Sequence, residues 1–188
     1  MEPRYLVEQP AVKSGGLNRR MLLAVAVGFI VLLLASVVIA LTRANNPVGS
    51  LLARAVVRQD NLLNLAKDSQ PSIRNGDLLK VNSDAILFLT SDSASLRGLL
   101  TASGLSGLPA SLVRAETDQT TAQKLQEAKS SGLFDTAYRQ VLSQKIDAQQ
   151  ALLRELAAKT KNPALKQAID AAYGNLSNLQ NQLAGLKL

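Results

Sequence analysis

Any chemistry in this chain has to be done without histidine or cysteine, because its 188 residues contain neither. Zinc sites of the usual kind, Ser-His-Asp triads, Cys-His dyads and the Glu-x-x-His pairs of di-iron bundles each require one of them. Carboxylates, lysines and hydroxyls remain, without a recognisable catalytic spacing. The five glutamates stand at 2, 8, 116, 127 and 155. Gly98, Gly104 and Gly107 neither follow a strand nor lead into the Gly-Lys-Ser/Thr of a phosphate loop. We therefore nominate no catalytic residue, no cofactor-binding residue and no metal ligand, and expect a non-enzyme without a cofactor. Disulfides are equally unavailable, in whatever compartment the chain resides.

Three polar residues are informative because they interrupt apolar helical seams. They are Asp92, the only carboxylate on a seam position, and the amides Gln59 and Gln149. The seams themselves recur at alternating intervals of three and four, the signature of helices with one buried face. The last is the clearest: Leu165, Ile169, Ala172, Leu176, Leu179, Leu183 and Leu186, opened by Asn162-Pro163 as cap and first-turn proline. Asn46-Pro47 opens a similar pattern on Leu52, Val56, Gln59, Leu63 and Ala66. A second helix is expected from Pro71-Ser72 to about Ala102 on Leu78, Val81, Ala85, Phe88, Leu96 and Leu99, stopped by Ser103-Gly104. One or two short helices should follow between Leu108-Pro109 and Ser131-Gly132. A third long helix, from Phe134 to about Thr160, carries Tyr138, Val141, Leu142, Ile146, Leu153 and Leu156. Strand alternation is nowhere convincing. The fold class is all-α, an antiparallel four-helix bundle with a short helical segment in its long connection.

Ahead of the bundle, residues 21–42 run "MLLAVAVGFIVLLLASVVIALT" without a charge. As a helix this run reaches about 33 Å, enough for a ~30 Å hydrocarbon core. It is longer than the apolar region of a cleavable leader, and Thr42-Arg43-Ala44 makes a poor cleavage site, so an uncleaved anchor is expected. A cleaved leader and a twin-arginine signal through Arg19-Arg20 remain as alternatives. Arg4, Lys13, Arg19 and Arg20 on one flank against Arg43, Arg54 and Arg58 on the other place the N-terminus inside. The domains expected are a disordered cytoplasmic stub at 1–20, the transmembrane anchor at 21–42, a linker at 43–49 and an extracytoplasmic bundle at 50–188. This makes the protein single-pass in the cytoplasmic membrane.

The chain carries 21 Lys and Arg against 14 Asp and Glu; without the stub's four basic and two acidic residues the balance is 17 to 12. The positive charge is mild and dispersed. No tryptophan is present, and beyond the anchor the aromatic rings are Phe88, Phe134, Tyr138 and Tyr173, too few for a base-stacking platform. Nucleic acid is not an expected partner. The lipid bilayer, through residues 21–42, is; an envelope protein or an anionic envelope polymer is the further possibility.

"GLPASLVRAETDQTTAQKLQEAKSSGLFDTAYRQVL" followed by "NPALKQAIDAAYGNLSNLQNQL" resembles the C-terminal half of a bacterial family of exported, ferritin-like four-helix domains of undefined function. The likeness covers roughly residues 96–188. It rests on Leu108-Pro109, on Phe134-Asp135 with Tyr138, and on Asn162-Pro163 with Leu165-Lys166, in that order. It implies fold and export, not a reaction. An acidic-His-Thr stretch common in the family's second helix reads Phe88-Leu89-Thr90 here, so no metal or pH-sensing role of that histidine carries over.

Individual residues read structurally. Phe134 and Tyr138 should pack in the core one turn apart, and Asp135 should be a favourable first-turn charge. Gly174, inside the last helix, costs about 1 kcal/mol relative to alanine and suggests close approach by a neighbouring helix. With an up-down-up-down path and both short turns at the membrane-distal end, Gln59 and Gln149 should share a layer about 17 Å from that end with Val81 and Ala172 or Tyr173. Buried amides must bond, so the pair should meet each other, the Tyr173 hydroxyl or a water, fixing helix register. The function expected is that of a membrane-anchored extracytoplasmic module with a non-enzymatic binding or structural role in the cell envelope. A ferritin-like metal-handling or enzymatic bundle using carboxylates alone, and an envelope sensor module, stay open as alternatives.

Overall fold

The computed structural model describes residues 47–105 and 107–187. The stub at 1–20, the apolar run at 21–42 and residues 43–46 of the linker lie outside them. Among the described residues no helix is long and apolar enough to cross a membrane, and all regular structure is helical.

The described residues form six α-helices in order: α1 (Pro47–Ser69), α2 (Gly76–Ala102), α3 (Ala110–Glu116), α4 (Gln119–Ser130), α5 (Phe134–Lys159) and α6 (Pro163–Gly185). Residues 47–49, expected in the linker, form the first turn of α1, since proline's fixed φ suits a first helical position. The second helix starts later than Pro71-Ser72. Those residues form a single 3-10 turn (Gln70–Ser72), and the chain runs extended until Asn75 caps α2, its Oδ1 accepting from the Leu78 amide at 2.9 Å. The Asn75 backbone, φ −74° and ψ 123°, has the extended conformation of an N-cap. The expected cap of α6 is present: Asn162 Oδ1 accepts from the Leu165 amide at 3.1 Å, with Pro163 in the first turn. Gly104 and Gly132 end α2 and α4 at φ 83° and 75°, a region that suits glycine.

The four long helices form a ring in which α1 packs on α2 and α5, and α6 packs on the same two from the other side. Direction follows from the contacts at the ends. Asp135, in the first turn of α5, accepts from the backbone amides of Arg74 and Asn75, so α5 begins at the end where α1 turns into α2. Arg139, one turn on, donates to the carbonyl of Leu186 at 3.0 Å, placing the end of α6 there too. The path is therefore up-down-down-up, with α3 and α4 carrying the chain back along the bundle's length. This corrects the up-down-up-down path: the two short turns lie at opposite ends. Each adjacent pair of long helices is nonetheless antiparallel, which the single long crossover makes possible.

The core runs through Leu52, Val56, Leu62, Leu78, Leu89, Leu96, Tyr138, Leu142, Ile146, Leu153, Leu176 and Leu179. Several faces are turned from those expected. Leu62 is buried where Leu63 was expected, Leu89 where Phe88 was, and Leu100 where Leu99 was; the expected residues are only half-buried. A helix in a ring touches two neighbours, so its buried stripe is wider than the single seam that a pairwise pattern describes. Phe134 and Tyr138 stack in the core with ring centroids 6.0 Å apart. The expectation for Gly174 fails: it is exposed, and nothing lies within 4 Å of where its Cβ would be.

Candidate functional site

Two groups of polar side chains make linked contacts between helices, one inside the bundle and one on its surface. The first is an internal layer to which each long helix contributes one side chain. Gln149 Nε2 of α5 donates to Gln59 Oε1 of α1 at 3.0 Å and to the carbonyl of Ala55, also at 3.0 Å. Gln59 Nε2 reaches Asp92 Oδ2 of α2 over a long 3.5 Å, and Asn175 Nδ2 of α6 donates to Asp92 Oδ1 at 2.9 Å. Both glutamines are fully buried, and Gln149 Oε1 has no partner among the described residues. Burial pushes the Asp92 carboxyl up to about 6, against the pull of the Asn175 hydrogen bond.

The layer contains the two expected glutamines but not the expected Val81, Ala172 or Tyr173. Helical side chains lean toward their own N-terminus, so contacts across an antiparallel pair are offset along both helices. Val81 accordingly falls short of the layer and Asp92 reaches it. The α6 seam reads as wholly apolar, and Asn175 escaped notice because it sits beside Leu176 rather than on the seam. Nearer the α1–α2 turn, Tyr138 donates its buried hydroxyl to Asn82 Oδ1, and Asn82 Nδ2 donates to the Ala66 carbonyl at 3.1 Å. Burial raises the Tyr138 hydroxyl above its ordinary range.

The second arrangement is on the surface, where the crossover changes direction between α3 and α4. Glu116 is gripped by two α1 guanidiniums, Arg54 and Arg58, the latter with Nε 2.6 Å from Oε2. Asn61 Nδ2 adds a bond to the Glu116 carbonyl at 2.9 Å. Burial raises the Glu116 carboxyl, but the hydrogen bonds and charges of Arg58 and Arg54 outweigh it and leave the group below its usual range. Two residues on, Asp118 caps α4, accepting from the amides of Thr120 and Thr121 and from both their hydroxyls, and from Lys145 Nζ of α5 at 2.9 Å. Those hydroxyls, then Lys145, hold its carboxyl far below the ordinary value. The junction is thus tied to α1 on one side and to α5 on the other. Asp118 followed by Thr120 and Thr121 is a readable cap, whereas nothing in sequence links Glu116 to arginines about 60 residues away.

Beyond the junction α4 packs on α5 and stands off from α1, leaving a half-open trench of about 430 Å³. Its floor includes Leu65, Leu125 and Phe134, and its walls carry Asn61, Asn64 and Ser69 from α1 and Gln126 and Lys129 from α4. Ser69 is only 4% exposed, and its hydroxyl takes part in no hydrogen bond among the described residues. Arg54, Arg58, Glu116 and Ser69 were not singled out as site residues from sequence.

Among the described residues no group of three Asp, Glu, His or Cys could hold a metal ion. Asp92 has amide neighbours, Asp135 serves the α1–α2 turn, and Glu116 and Asp118 are held by cations and hydroxyls. The arrangement supports binding through the trench better than it supports acid–base chemistry. No family model, no curated protein and no solved structure matches this chain.

Proposed function

We propose that this protein is a membrane-anchored, extracytoplasmic helical-bundle module with a non-enzymatic binding or structural role in the cell envelope. Residues 21–42 serve as its anchor, with the N-terminus on the cytoplasmic side. The single observation that carries the binding role is the trench between α1 and α4, kept open because the Glu116–Asp118 junction is tied to both α1 and α5. Rigid walls with unoccupied hydrogen-bonding groups above an apolar floor are what ligand sites share. Ferritin-like architecture is supported by the single long crossover between two helical hairpins. An anionic envelope polymer is a weaker partner for this surface, since the cations beside the trench, Arg54, Arg58 and Lys145, already hold carboxylates.

Two measurements test the reading. Protease added to intact spheroplasts should digest the bundle and leave a membrane-embedded fragment of about 45 residues, given the positive-inside bias; a mature chain starting near residue 45 and free of the membrane would overturn the anchor. A photo-crosslinking residue at Asn64 or Gln126 should capture an envelope component in intact cells, while the same residue at Ser83, on the exposed side of α2, should not. Equal capture from all three positions would remove the trench from the proposal.

A further inference from the structure

We propose that the α1–α4 trench binds an uncharged saccharide, a short glycan segment lying with its C–H faces on the apolar floor. This rests on the reading of the protein as a binding module and names the ligand class. At about 430 Å³ the cavity falls within the ~300–1,000 Å³ of small-molecule sites. From Asn61 to Ser69 along α1 it extends about 12 Å at ~1.5 Å per helical residue, and Ser72 in the following turn carries it further, so it is elongated rather than round.

Charge decides against ionic ligands. Glu116 is held by both Arg54 and Arg58, a cluster of net +1 whose arginines already grip the carboxylate and are not part of the trench lining, and Asp118 is paired with Lys145. Asp68 and Lys129, the other charged residues of the lining, are one of each sign and are exposed, with no ion pair among the described residues. A ligand with a net charge of either sign would meet an opposing group as readily as a favourable one.

The groups left for the ligand are neutral and ambivalent. The side chains of Asn64, Ser69, Ser72 and Gln126 make no hydrogen bond among the described residues, and Asn61 uses one amide hydrogen on the Glu116 carbonyl, leaving its Oδ1 to accept. Amides and hydroxyls offer both donors and acceptors, which matches hydroxyl groups that do the same. The backbone of the helical walls is committed to its own ladder, so an extended peptide would find few partners for its regular N–H and C=O groups. Ser69 is the most telling residue. Although the residue as a whole is 96% buried, its hydroxyl stays open to the trench and bonds no other described residue, so a ligand hydroxyl can replace the water it meets there.

Calorimetric titration of the full chain in nanodiscs tests this, with cellotriose, chitotriose, a sulfated trisaccharide and blocked trialanine as probes. One of the neutral trisaccharides should bind at millimolar concentration or better, and neither the sulfated sugar nor the peptide should. Ser69→Ala should weaken binding about tenfold, the loss of one well-placed hydrogen bond, ~1.4 kcal/mol. Ala122→Trp, on the exposed rim, should abolish it by filling the trench while leaving the helical circular dichroism unchanged. Binding of the peptide or the sulfated sugar in preference, glycan binding indifferent to Ala122→Trp, or no glycan binding at all would overturn the assignment. Because the titration is done on purified protein, its outcome is independent of which side of the membrane the bundle occupies.

Discussion

Asp92 makes the internal layer testable through pH. Its carboxyl, 5% exposed, is pushed up to about 6 from an ordinary 3.8. The folded protein therefore holds this proton more tightly than the unfolded chain does. The sign follows: the stabilisation is fully present below about pH 4 and is lost as pH rises through 6. At ~1.4 kcal/mol per unit the whole effect is at most about 3 kcal/mol. Glu116 and Asp118, held below their ordinary ranges, act with the opposite sign but in more acid solution, leaving the interval from about pH 5 to 7.5 to Asp92. Urea unfolding of the compact unit Asn45–Leu188, followed by helical circular dichroism, should show stability falling across that interval. Asp92→Asn keeps the shape and removes the charge. Its Oδ1 can still accept from Asn175, and the only contact that becomes donor-to-donor is the long 3.5 Å one with Gln59 Nε2. The variant should flatten the pH dependence and exceed the parent in stability at pH 7.5. A parent whose stability is level or rises from pH 5 to 7.5, or a variant that keeps the parent's slope, would refute the reasoning.

Gly174→Ala should stabilise the bundle by about 1 kcal/mol, read as a rise in the urea midpoint at constant m, because the site is exposed and open. Asp135→Ala removes the acceptor for the Arg74 and Asn75 amides and should cost about 1–3 kcal/mol, with hydrogen exchange accelerated first at residues 73–75. Glu116→Gln should leave the global midpoint nearly unchanged while raising exchange in α3, since it weakens a tie whose arginine partners are partly exposed. Gln59→Leu and Gln149→Leu should couple by about 0.5–3 kcal/mol in a double-mutant cycle, and strict additivity would argue against their direct bond.

Helix existence and order were legible because apolar spacing, Asn162-Pro163 and the glycines that end α2 and α4 are local signals acting within a turn or two. The start of α2 was not, because Pro71 and Asn75 are both plausible entry points and the choice depends on Asp135 binding the Arg74 and Asn75 amides from across the bundle. Faces shifted for a similar reason: whether Leu62 or Leu63 is inward depends on having two neighbours rather than one. In the layer, Gln59, Gln149 and Asp92 stood out as polar residues in apolar seams, whereas Asn175 and the unpaired Ser69 hydroxyl look like ordinary surface residues until the neighbouring helices are placed. The Arg54–Glu116–Arg58 tie joins parts of the chain that no short pattern connects.

Gln59 and Gln149 meet although the path inferred for the chain was wrong, and the reason limits what such a contact can prove. Gln149 lies 15 residues after Phe134 and 10 before Lys159, near the middle of α5, so reversing the helix moves its height by only about 7 Å. A glutamine side chain leaning toward its helix N-terminus covers much of that difference. A mid-helix polar pair therefore reports that two seams face each other, not which way they run. Direction is carried by residues at the ends, where reversal moves a group by the full length of the helix. Here Asp135 and Arg139 do so, one on the α1–α2 turn and the other on the end of α6. Buried amides require partners wherever the chain takes them, and this requirement selects the layer. The acceptor in the first turn of α5 selects the topology.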